Sequence, residues 1–552
     1  MRKSTKEYFE RLRQFDLSQE FNALNALQNT AWKINSPVLQ VIRETWDSGE
    51  EWAGLPPKFD VPLPDYPFDK SPADMSEQEK AEFKAWRKRR GSIHVFNHKN
   101  MSKRIQIERT LQLAEDYQKY DKFYFVWQTD FRGRKYPVES FMSPQVADWG
   151  KAAILFNRGM AINTNEDATW LAIHGANLWG NDKISLADRE LWAYLVHDDV
   201  IKTAENPTDY LWWTEADKPW QFLAWVFEWY GYLKEGNGFV SHLPVAADGS
   251  CNGLQNLSAI LRDGEGGRAV NLIDGDVPAD IYSDVANLTM KRVEQEALRG
   301  DPMALRFMQF GVDRSLTKRP CMIVPYSGTL MACKKYVLEA MESKVQGGTA
   351  NPFDNLRDAS FYISRHIWDS IDGVIGSARK VMDYVKDVGA MYSAADKPME
   401  WITPTNFLVR QAYPDTKSRQ IKTKIDGNIL VVRHHTEIEG KINKSKTRTG
   451  ASPNFIHSLD AAHLTMTINR CQQEGIKDFA MVHDSYGTHT SNMVRMSEIL
   501  RESFVDMYQE NDVLSDLRLH ACNILGTEDV PEPPEKGDLD LRKVLSSKYF
   551  FA

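Results

Sequence analysis

The chain has 552 residues, enough for several domains, and its 42% hydrophobic and 26% charged residues are typical of a globular protein. It contains no run of about 18 or more apolar residues, so the sequence predicts no membrane-spanning helix and no membrane partner. The net charge of −8 counts mildly against a nucleic-acid-binding protein, so any such function must depend on local basic patches.

The N-terminal stretch and the cysteines give information about the cellular compartment of the protein. Residues 1–15, MRKSTKEYFERLRQF, carry Glu7 and Glu10 among the basic residues and have no apolar core, so they match neither a secretory signal nor a transit peptide. The five cysteines are widely scattered and form no C-x-x-C pair, which favours a reducing compartment and disfavours a zinc site. We therefore expect a cytoplasmic protein.

Two basic clusters lie in the first part of the chain. Residues 84–91, KAWRKRRG, are predicted to end a helical stretch, and they suit a solvated helix end and a phosphate contact equally well. Residues 123–137, FYFVWQTDFRGRKYP, are a strand-like aromatic run followed by Arg132 and Arg134. Alternate residues of an extended chain point to one side, so the two arginines are expected to project together, which suits a nucleic-acid backbone.

Two apolar runs each lead into an aspartate. Residues 243–260, LPVAADGSCNGLQNLSAI, predict a buried strand that ends at Asp248, then a glycine-rich turn and an amphipathic helix. Residues 479–490, FAMVHDSYGTHT, predict a second buried strand that leads into Asp484 and a turn. Taken singly, such an aspartate most often caps a turn or a helix. If the two converge, they match the ligands of two magnesium ions about 3.5–4 Å apart, one activating a hydroxyl and one stabilising a leaving group.

The segment DRSLTKRPCMIVPYSG (residues 313–328) carries four candidate functional side chains spaced four residues apart. On a helix this spacing places four side chains on one face: Arg314, Lys318, Met322 and Tyr326. The two basic residues are suited to hold a triphosphate, and Tyr326 is suited to stack on a base or touch a ribose. The alternative is an amphipathic surface helix with incidental basic residues.

Residues 411–450 form the other basic region, with nine Lys or Arg against four acidic residues and a local net charge of +5. Rough alternation around Asp426-Gly427-Asn428 predicts a β-hairpin. A protruding basic ribbon fits a DNA groove, and a charged, solvated hairpin is the alternative. Four of its cations lie on the first predicted strand: Lys417, Arg419, Lys422 and Lys424.

The segment SPNFIHSLDAAHLT (residues 452–465) begins with Ser-Pro, which is typical of a helix start. It places His457 about two turns into the predicted helix, next to Phe455 and Ile456. A histidine in such an apolar setting is most often a core residue whose hydrogen bonds are satisfied.

Five segments in this order resemble the bacteriophage and mitochondrial type of single-subunit DNA-dependent RNA polymerase: DFRGRKYP, DGSCNGLQNLSA, RSLTKRPCMIVPY, SPNFIHSLDAAH and HDSYGT. LQNTAWKIN, LRDGEGGRAVNL and the closing KYFFA are similar to the same family. The resemblance runs from about residue 23 to the end of the chain. It implies a helix-rich α/β chain with the right-hand polymerase fold. The implied parts are a residual N-terminal segment and thumb (1–120), the first part of the palm (121–275), the fingers with the basic hairpin (276–452), and the second part of the palm with a C-terminal foot (453–552).

The resemblance also implies residue roles at the reacting phosphates. Asp248 and Asp484 would hold two Mg²⁺ ions, and Arg314 and Lys318 would bind the incoming nucleoside triphosphate. Lys318 is in addition a candidate proton donor to the leaving pyrophosphate. The 3′-hydroxyl of a growing RNA would attack the α-phosphate in line.

Further implied roles concern the nucleotide and the nucleic acid. Tyr326 would close the nucleotide pocket and favour a ribose, and His457 would lie near the nascent base pair. Arg132 and Arg134 would contact the template strand or the hybrid, and the hairpin would be a promoter-reading loop. The implied partners are a DNA template, an RNA product and ribonucleoside triphosphates, in the host cytoplasm if a phage encodes the protein.

Three other functions remain open at this point: a primase-like enzyme, a right-hand DNA polymerase, and a catalytically silent nucleic-acid-binding subunit. DNA polymerases of the related type follow the His-Asp pair with Glu, whereas this chain has Ser485. Intact Asp248, Asp484, Lys318 and Tyr326 disfavour the silent subunit.

The sequence departs from the family pattern in several places. Pro320 and Pro325 are expected to kink the fingers helix, and Ser327 stands where the family commonly has glycine. The stretch between Asp248 and Arg314 is shorter than expected. Only about 22 residues precede the first matching segment, where family members carry a large N-terminal domain. We expect either a partner protein for promoter opening or initiation on single-stranded or melted DNA, a shortened chain being the alternative.

Overall fold

Helices dominate the structure, a computed structural model that describes residues 3–425 and 427–552. Up to residue 241 the elements are α1 (Lys3–Leu12), α2 (Ser18–Asn29), β1 (Trp32–Ile34), α3 (Ser36–Ser48), α4 (Glu77–Tyr117), β2 (Trp127–Thr129), β3 (Lys135–Pro137), α5 (Asp148–Ala152), β4 (Ile154–Phe156), β5 (Met160–Ala161), α6 (Asn165–Trp179), α7 (Leu186–Leu195), α8 (His197–Glu205), α9 (Pro219–Glu235) and β6 (Val240–Ser241).

The second part of the chain continues the same mixture of helices and short strands. Its elements are β7 (Val245–Asp248), α10 (Asn252–Leu261), α11 (Gly264–Ala269), α12 (Ile281–Leu298), α13 (Pro302–Phe310), α14 (Arg314–Ile323), α15 (Leu330–Gln346), α16 (Leu356–Val374), α17 (Gly376–Ala394), β8 (Met399–Ile402), β9 (Leu408–Gln411), β10 (Pro414–Ile425), β11 (Asn428–Ile442), α18 (Lys444–Gln473), β12 (Ser485–Thr488), α19 (Met493–Glu510) and α20 (Val513–Leu525).

The strands of the described residues pair as six antiparallel two-stranded sheets: β1 with β4, β2 with β3, β5 with β6, β7 with β12, β8 with β9, and β10 with β11. Four of these pairs join consecutive strands, whereas β1 pairs with β4 across about 120 residues and β7 pairs with β12 across more than 230. The prediction of a helix-rich α/β chain is confirmed. Among the residues described, no helix has the length and apolar character that crossing a membrane requires.

Helix α4 is longer than the sequence predicts. Ser76 and Glu79 form a capping box at its start, each side chain accepting a hydrogen bond from the other residue's backbone N–H. The basic cluster at 84–91 was expected to end a helix, and this is wrong, because α4 continues through Gly91 to Tyr117. Its last turns bury Ile107 and Leu111 in the core, which stabilises the helix beyond the exposed basic segment.

The predicted hairpin is present as β10 and β11, with Lys417 opposite Thr436 and Lys424 opposite Ile429. Asp426, at its predicted turn, lies outside the described residues. The basic region 411–450 is not all hairpin, since Gln411 ends β9 and the residues from Lys444 onward belong to α18.

Helix α18 begins eight residues before the Ser-Pro pair that was predicted to start it. The Asn443 side chain caps the helix by accepting a hydrogen bond from the Lys446 backbone N–H at 2.9 Å. Pro453 therefore lies inside the helix, and His457 lies more than three turns from its start. The Ser-Pro signal was wrong because an asparagine earlier in the chain provides the cap.

Candidate active site

The β7–β12 pair brings the two predicted aspartates together. Asp248 is the last residue of β7 and lies opposite Ser485, the first residue of β12. The Gly249 backbone N–H donates a hydrogen bond to the Asp484 carbonyl oxygen at 3.1 Å. The predicted convergence of Asp248 and Asp484 is therefore observed.

The backbone around Asp484 differs from the prediction. Phe479 and Met481 are fully buried as expected, but residues 479–481 are extended without forming a strand. Val482 and Ser485 exchange backbone hydrogen bonds of 2.9 and 2.8 Å around a tight turn that contains Asp484. Strand β12 follows the aspartate and pairs with β7, and the apolar run before the turn lies along its other side, where the Ala480 N–H donates a hydrogen bond to the Gly487 carbonyl oxygen at 2.9 Å.

Two backbone positions near Asp484 restrict which residues the turn can accept. His483, in the turn, has a φ of +52°, a left-handed conformation that is uncommon outside glycine. A Cβ atom on Gly487 would lie 2.6 Å from the Ala480 carbonyl oxygen, so a larger residue would push β12 away from the buried run. The turn that holds Asp484 is thus fixed by close backbone packing.

The two carboxylates differ in their electrostatic environment. Burial raises the pKa of Asp484, and the neighbouring Asp248 raises it further. Burial also acts to raise the pKa of Asp248, but Lys218, a hydrogen bond with Ser485 and Lys151 together outweigh it and lower the pKa. The Asp248 carboxylate is surrounded by protein yet open to a cleft, with 57% of its side chain exposed. The pair is thus a site of negative charge that attracts cations.

A cleft of about 490 Å³ opens in front of the two aspartates. It is lined by charged and polar side chains that include Asp248, Asp484, Lys151, His174, Lys218 and Lys318. Burial lowers the pKa of Lys318, and the nearby Arg314 lowers it further. Lysines that face two carboxylates across a cleft can neutralise a polyphosphate bound between them.

The helix that carries Lys318 contains Pro320 and ends just before Pro325, so only the second proline marks the predicted interruption. Helix α14 ends at Ile323, and a single 3₁₀ turn, Val324–Tyr326, follows it. The interval-of-four pattern therefore does not continue along one α-helix to Tyr326, and that part of the prediction is wrong. Arg314 lies at the start of α14 and does not line the cleft. It donates a hydrogen bond to Asp280 at 2.9 Å.

Tyr326 and His457 face each other, with ring centroids 4.7 Å apart. Arg132 Nη1 donates to His457 Nδ1 at 2.9 Å, and since guanidinium is always a donor, the hydrogen of His457 is on Nε2. Burial, Arg134 and Arg132 lower the pKa of His457 to about 2. His457 is thus a neutral residue with one free donor position.

Arg132 and Arg134 lie in the β2–β3 turn, and both reach the same face of α18. Arg134 binds Asp460 through two hydrogen bonds, the one from Nε measuring 3.0 Å, and both side chains are largely buried. Arg132 also binds Asp130 at 2.6 Å. The arginines therefore project to one side, as predicted, but protein groups bind their guanidiniums.

Comparison with known proteins decides the family. The family model described as DNA-dependent RNA polymerase matches residues 162–528, about two thirds of the chain. The chain belongs to this family. It is similar to the DNA-directed RNA polymerase of Enterobacteria phage T3, with 31% identity over 97% of this chain and 65% of the phage protein. T7 RNA polymerase of Escherichia phage T7 is 30% identical over 97% of the chain and 65% of its own length.

A plant enzyme is similar to this chain at a comparable level of sequence identity. DNA-directed RNA polymerase 1B, mitochondrial, of Nicotiana tabacum is 32% identical over 100% of this chain and 54% of its own length. The chain thus spans a little under two thirds of the phage relatives and about half of the plant one. The predicted resemblance to the phage and mitochondrial type is confirmed.

The residues present in this polymerase-family chain fit magnesium. Within the described part of the chain, no three His, Cys, Asp or Glu side chains cluster as a complete metal cage. Asp248 is exposed to the cleft and Asp484 is half-buried, and burial and the neighbouring Asp248 raise the pKa of Asp484. Mg²⁺ is commonly bound by one or two carboxylates together with substrate phosphates and water, so two aspartates suffice.

Sequence reasoning missed three residues of the site. Asp460 lies three residues after His457 on α18, and this spacing was a usable signal that both face the β2–β3 turn. Lys218 and Lys151 line the cleft but lie far from every recognised motif. Nothing in their local sequence distinguishes them from surface lysines.

Proposed function

We propose that this chain is a DNA-dependent RNA polymerase, a nucleotidyltransferase that adds ribonucleotides to an RNA 3′ end as a DNA template directs. The observation that carries the proposal is the β7–β12 pairing, which joins Asp248 and Asp484 at a cleft lined by Lys318. The family membership and the relatives named as DNA-directed RNA polymerases support it.

The right-hand architecture is part of the proposal. We assign the palm to residues 121–275 and 453–552, which contribute β7 and β12 respectively. Residues 276–452 are assigned to the fingers and carry Lys318. The first 120 residues are assigned to a residual N-terminal segment and the thumb, and the 41-residue helix α4 with its exposed basic segment supports the thumb.

Asp248 and Asp484 would hold two Mg²⁺ ions, which would supply charge neutralisation and a more acidic 3′-hydroxyl. Lys318, which lines the same cleft, binds the phosphates. Its lowered pKa suits it to give a proton to the leaving pyrophosphate. Arg314 joins the phosphate contact only if the phosphate replaces Asp280, its present partner.

The ribose is recognised beside the cleft. The Tyr326 hydroxyl group lies near Gly253, where a Cβ atom would be 3.1 Å away from the hydroxyl oxygen. Arg132 holds the tautomer of His457 that leaves Nε2–H as a donor for a ribose oxygen. Tyr326 and His457 thus supply the hydrogen-bonding groups that distinguish a ribonucleotide from a deoxyribonucleotide.

The nucleic-acid contacts are proposed for two surfaces. Arg132 reaches toward the template strand or the hybrid, and the ion pair of Arg134 with Asp460 positions the turn that carries Arg132. The β10–β11 ribbon enters a DNA groove to read a promoter, supported by its exposed cations Lys417, Arg419, Lys422 and Lys424.

The test is extension of an RNA primer annealed to a DNA template with magnesium, with ribonucleotides or deoxyribonucleotides offered separately. We expect extension with ribonucleotides only, and loss of extension in Asp484→Asn. Asp209→Asn, on an exposed turn, is the control and should extend normally. Extension with deoxyribonucleotides would favour a DNA polymerase, and extension by neither on this open scaffold would favour a silent subunit.

A further inference from the structure

The cleft contains an ion pair that the proposed reaction does not explain. The Lys218 Nζ atom lies 3.5 Å from Oδ2 of Asp248, one of the two proposed metal ligands. The side chains are 47% and 57% exposed, so the pair faces the cleft rather than the core. An ammonium group therefore occupies the carboxylate on which a metal ion is expected.

The backbone of Lys218 is firmly held. Its N–H donates to the Leu178 carbonyl oxygen at 3.1 Å, and the N–H of Asp217 donates to the Trp179 carbonyl oxygen at 3.1 Å. Lys218 is the N-cap residue of α9, and Pro219 follows it at the first helical position. The Lys218 side chain, a flexible four-carbon stem, is thus the movable part of this contact.

The start of α9 is fixed from the other side as well. The buried Asp148 carboxylate accepts hydrogen bonds from the backbone N–H groups of Trp220 at 2.8 Å and Gln221 at 3.3 Å. The pair with Asp248 is therefore not needed to anchor this helix. An ion pair exposed to this degree contributes little to stability, so its position in the cleft calls for another explanation.

A lysine and a divalent cation cannot share this carboxylate oxygen without strong repulsion. When a metal ion binds Asp248, the ammonium group must leave. Its tether keeps it inside the cleft, where Lys318 and Lys151 also lie. A triphosphate bound there brings the negative charge that a displaced ammonium group requires.

We propose that Lys218 is a displaceable counter-ion: it neutralises Asp248 in the metal-free enzyme, leaves when metal binds, and then contacts the polyphosphate of the nucleotide. This proposal depends on the proposed polymerase function. It predicts opposite effects of one substitution, since removing Lys218 favours metal binding and disfavours nucleotide binding. A purely structural lysine would not produce that combination.

The first test measures Mn²⁺ binding to the nucleotide-free enzyme by electron paramagnetic resonance. In Lys218→Met we expect Mn²⁺ to bind about three- to tenfold more tightly, because the competing charge is gone. Lys234→Met is the matched control. It removes one charge from the last turn of the same helix, about 24 Å along the axis, and should leave Mn²⁺ affinity unchanged.

The second test measures primer extension at saturating magnesium. Lys218→Met should raise the KM for ribonucleotides several-fold, with a smaller change in kcat, and Lys218→Arg should restore most of the loss. Unchanged or weaker Mn²⁺ binding in Lys218→Met overturns the counter-ion proposal, and an unchanged KM overturns the polyphosphate contact. If the unaltered enzyme binds no more Mn²⁺ than Asp248→Asn does, the metal site of the proposed function itself fails.

Discussion

The carboxylate of Asp460 and the carboxylate pair of Asp248 and Asp484 differ in burial and in their cationic partners. Asp460, on α18, is 1% exposed and bound by Arg134 through two hydrogen bonds. Asp248 and Asp484, at the β7–β12 edge, lie next to each other, and only Asp248 has a lysine within ion-pair distance, at 3.5 Å. Because Asp460 is buried and paired, losing its charge would leave the buried Arg134 guanidinium without a partner, even though burial raises the pKa of Asp460 to about 6. A repelling pair left open to a cleft costs stability, and such a cost is typical of a site that binds a cation.

The sharpest test of this comparison is the effect of Asp484→Asn. We expect primer extension to fall by at least about 10³-fold, because one of two cation ligands is lost. Stability should not fall. The pKa of Asp484 is raised in the folded protein, so its ionisation above that pKa costs folding energy, and the neutral amide removes this cost at pH 7.

The measurement pairs extension rates with urea unfolding at pH 7. A variant that unfolds at a lower urea concentration than the unaltered protein would show that Asp484 is structural. Asp248→Asn should behave similarly in extension, but its stability should fall slightly, because the pKa of Asp248 is lowered in the folded protein and its ionised form is therefore stabilising at pH 7.

Asp460→Asn should show the reverse pattern. Removing the charge leaves Arg134 buried without its partner, which costs about 3–5 kcal/mol of unfolding free energy. Asp506→Asn is the matched control, since its pair with Arg470 at 2.7 Å is about one-third exposed and should contribute less than about 1 kcal/mol. Equal losses in the two variants would contradict the distinction between buried and exposed pairs.

These two sites also differ in how far the sequence predicted them. The convergence of Asp248 and Asp484 was predicted because each follows an apolar run and belongs to a family motif. The Asp460 pair was missed, although it lies three residues after His457 within a quoted motif. Lys218 was not predictable, because its place in the cleft depends on how α9 packs against α5 and α6.

Other differences from prediction have local physical causes. The Ser452-Pro453 pair is a good start signal, but Asn443 caps α18 earlier, and tertiary packing then keeps the proline inside the helix. The apolar run before Asp484 has the composition of a strand, yet the partner strand β7 pairs with the residues after the turn. Pairing across 236 residues is decided by the whole fold, and local patterns do not contain it.

Acid should also destabilise the region around Asp460, through a buried histidine. On α18, His463 is buried between the Tyr486 hydroxyl and the Leu500 carbonyl oxygen, both at 2.9 Å, and burial lowers its pKa to about 4. The unfolded chain binds this proton near pH 6.5, so the stability that His463 supports is complete above that pH and is lost as the pH falls toward 4.

The expected loss is about 1.4 kcal/mol per pH unit for each such histidine. His463→Gln should reduce the slope of unfolding free energy against pH between 6.5 and 4 by that amount. His94→Gln, on the exposed part of α4, is the control and should leave the slope unchanged. An unaltered slope in His463→Gln would mean that this residue is not protonated during acid unfolding.

Burial raises the pKa of Tyr326, which is close enough to both Asp460 and Asp484 for their charges to raise it further. Its ring packs on His457 and is half buried. Tyr326→Phe should keep the ring contact and lose the hydroxyl group. We expect discrimination against deoxyribonucleotides to fall about tenfold, the value of one hydrogen bond of about 1–1.5 kcal/mol. Ribo- and deoxyribonucleotide kcat/KM values measure this, with Tyr336→Phe on α15 as control. An unchanged ratio would remove Tyr326 from ribose selection.

The smallest expected effect concerns the open β10–β11 ribbon. Lys422 is exposed there, and Lys422→Gln should leave stability unchanged, since no buried group depends on it. If the ribbon lies along DNA, the plot of log affinity against log salt concentration should become less steep by about one unit, the contribution of one phosphate contact. Fluorescence anisotropy with duplex DNA measures the slope, and Lys234→Gln controls for net charge. A slope equal to that of the unaltered protein would indicate that the ribbon is a solvated hairpin. Nucleic acid would then bind to charged residues outside β10 and β11.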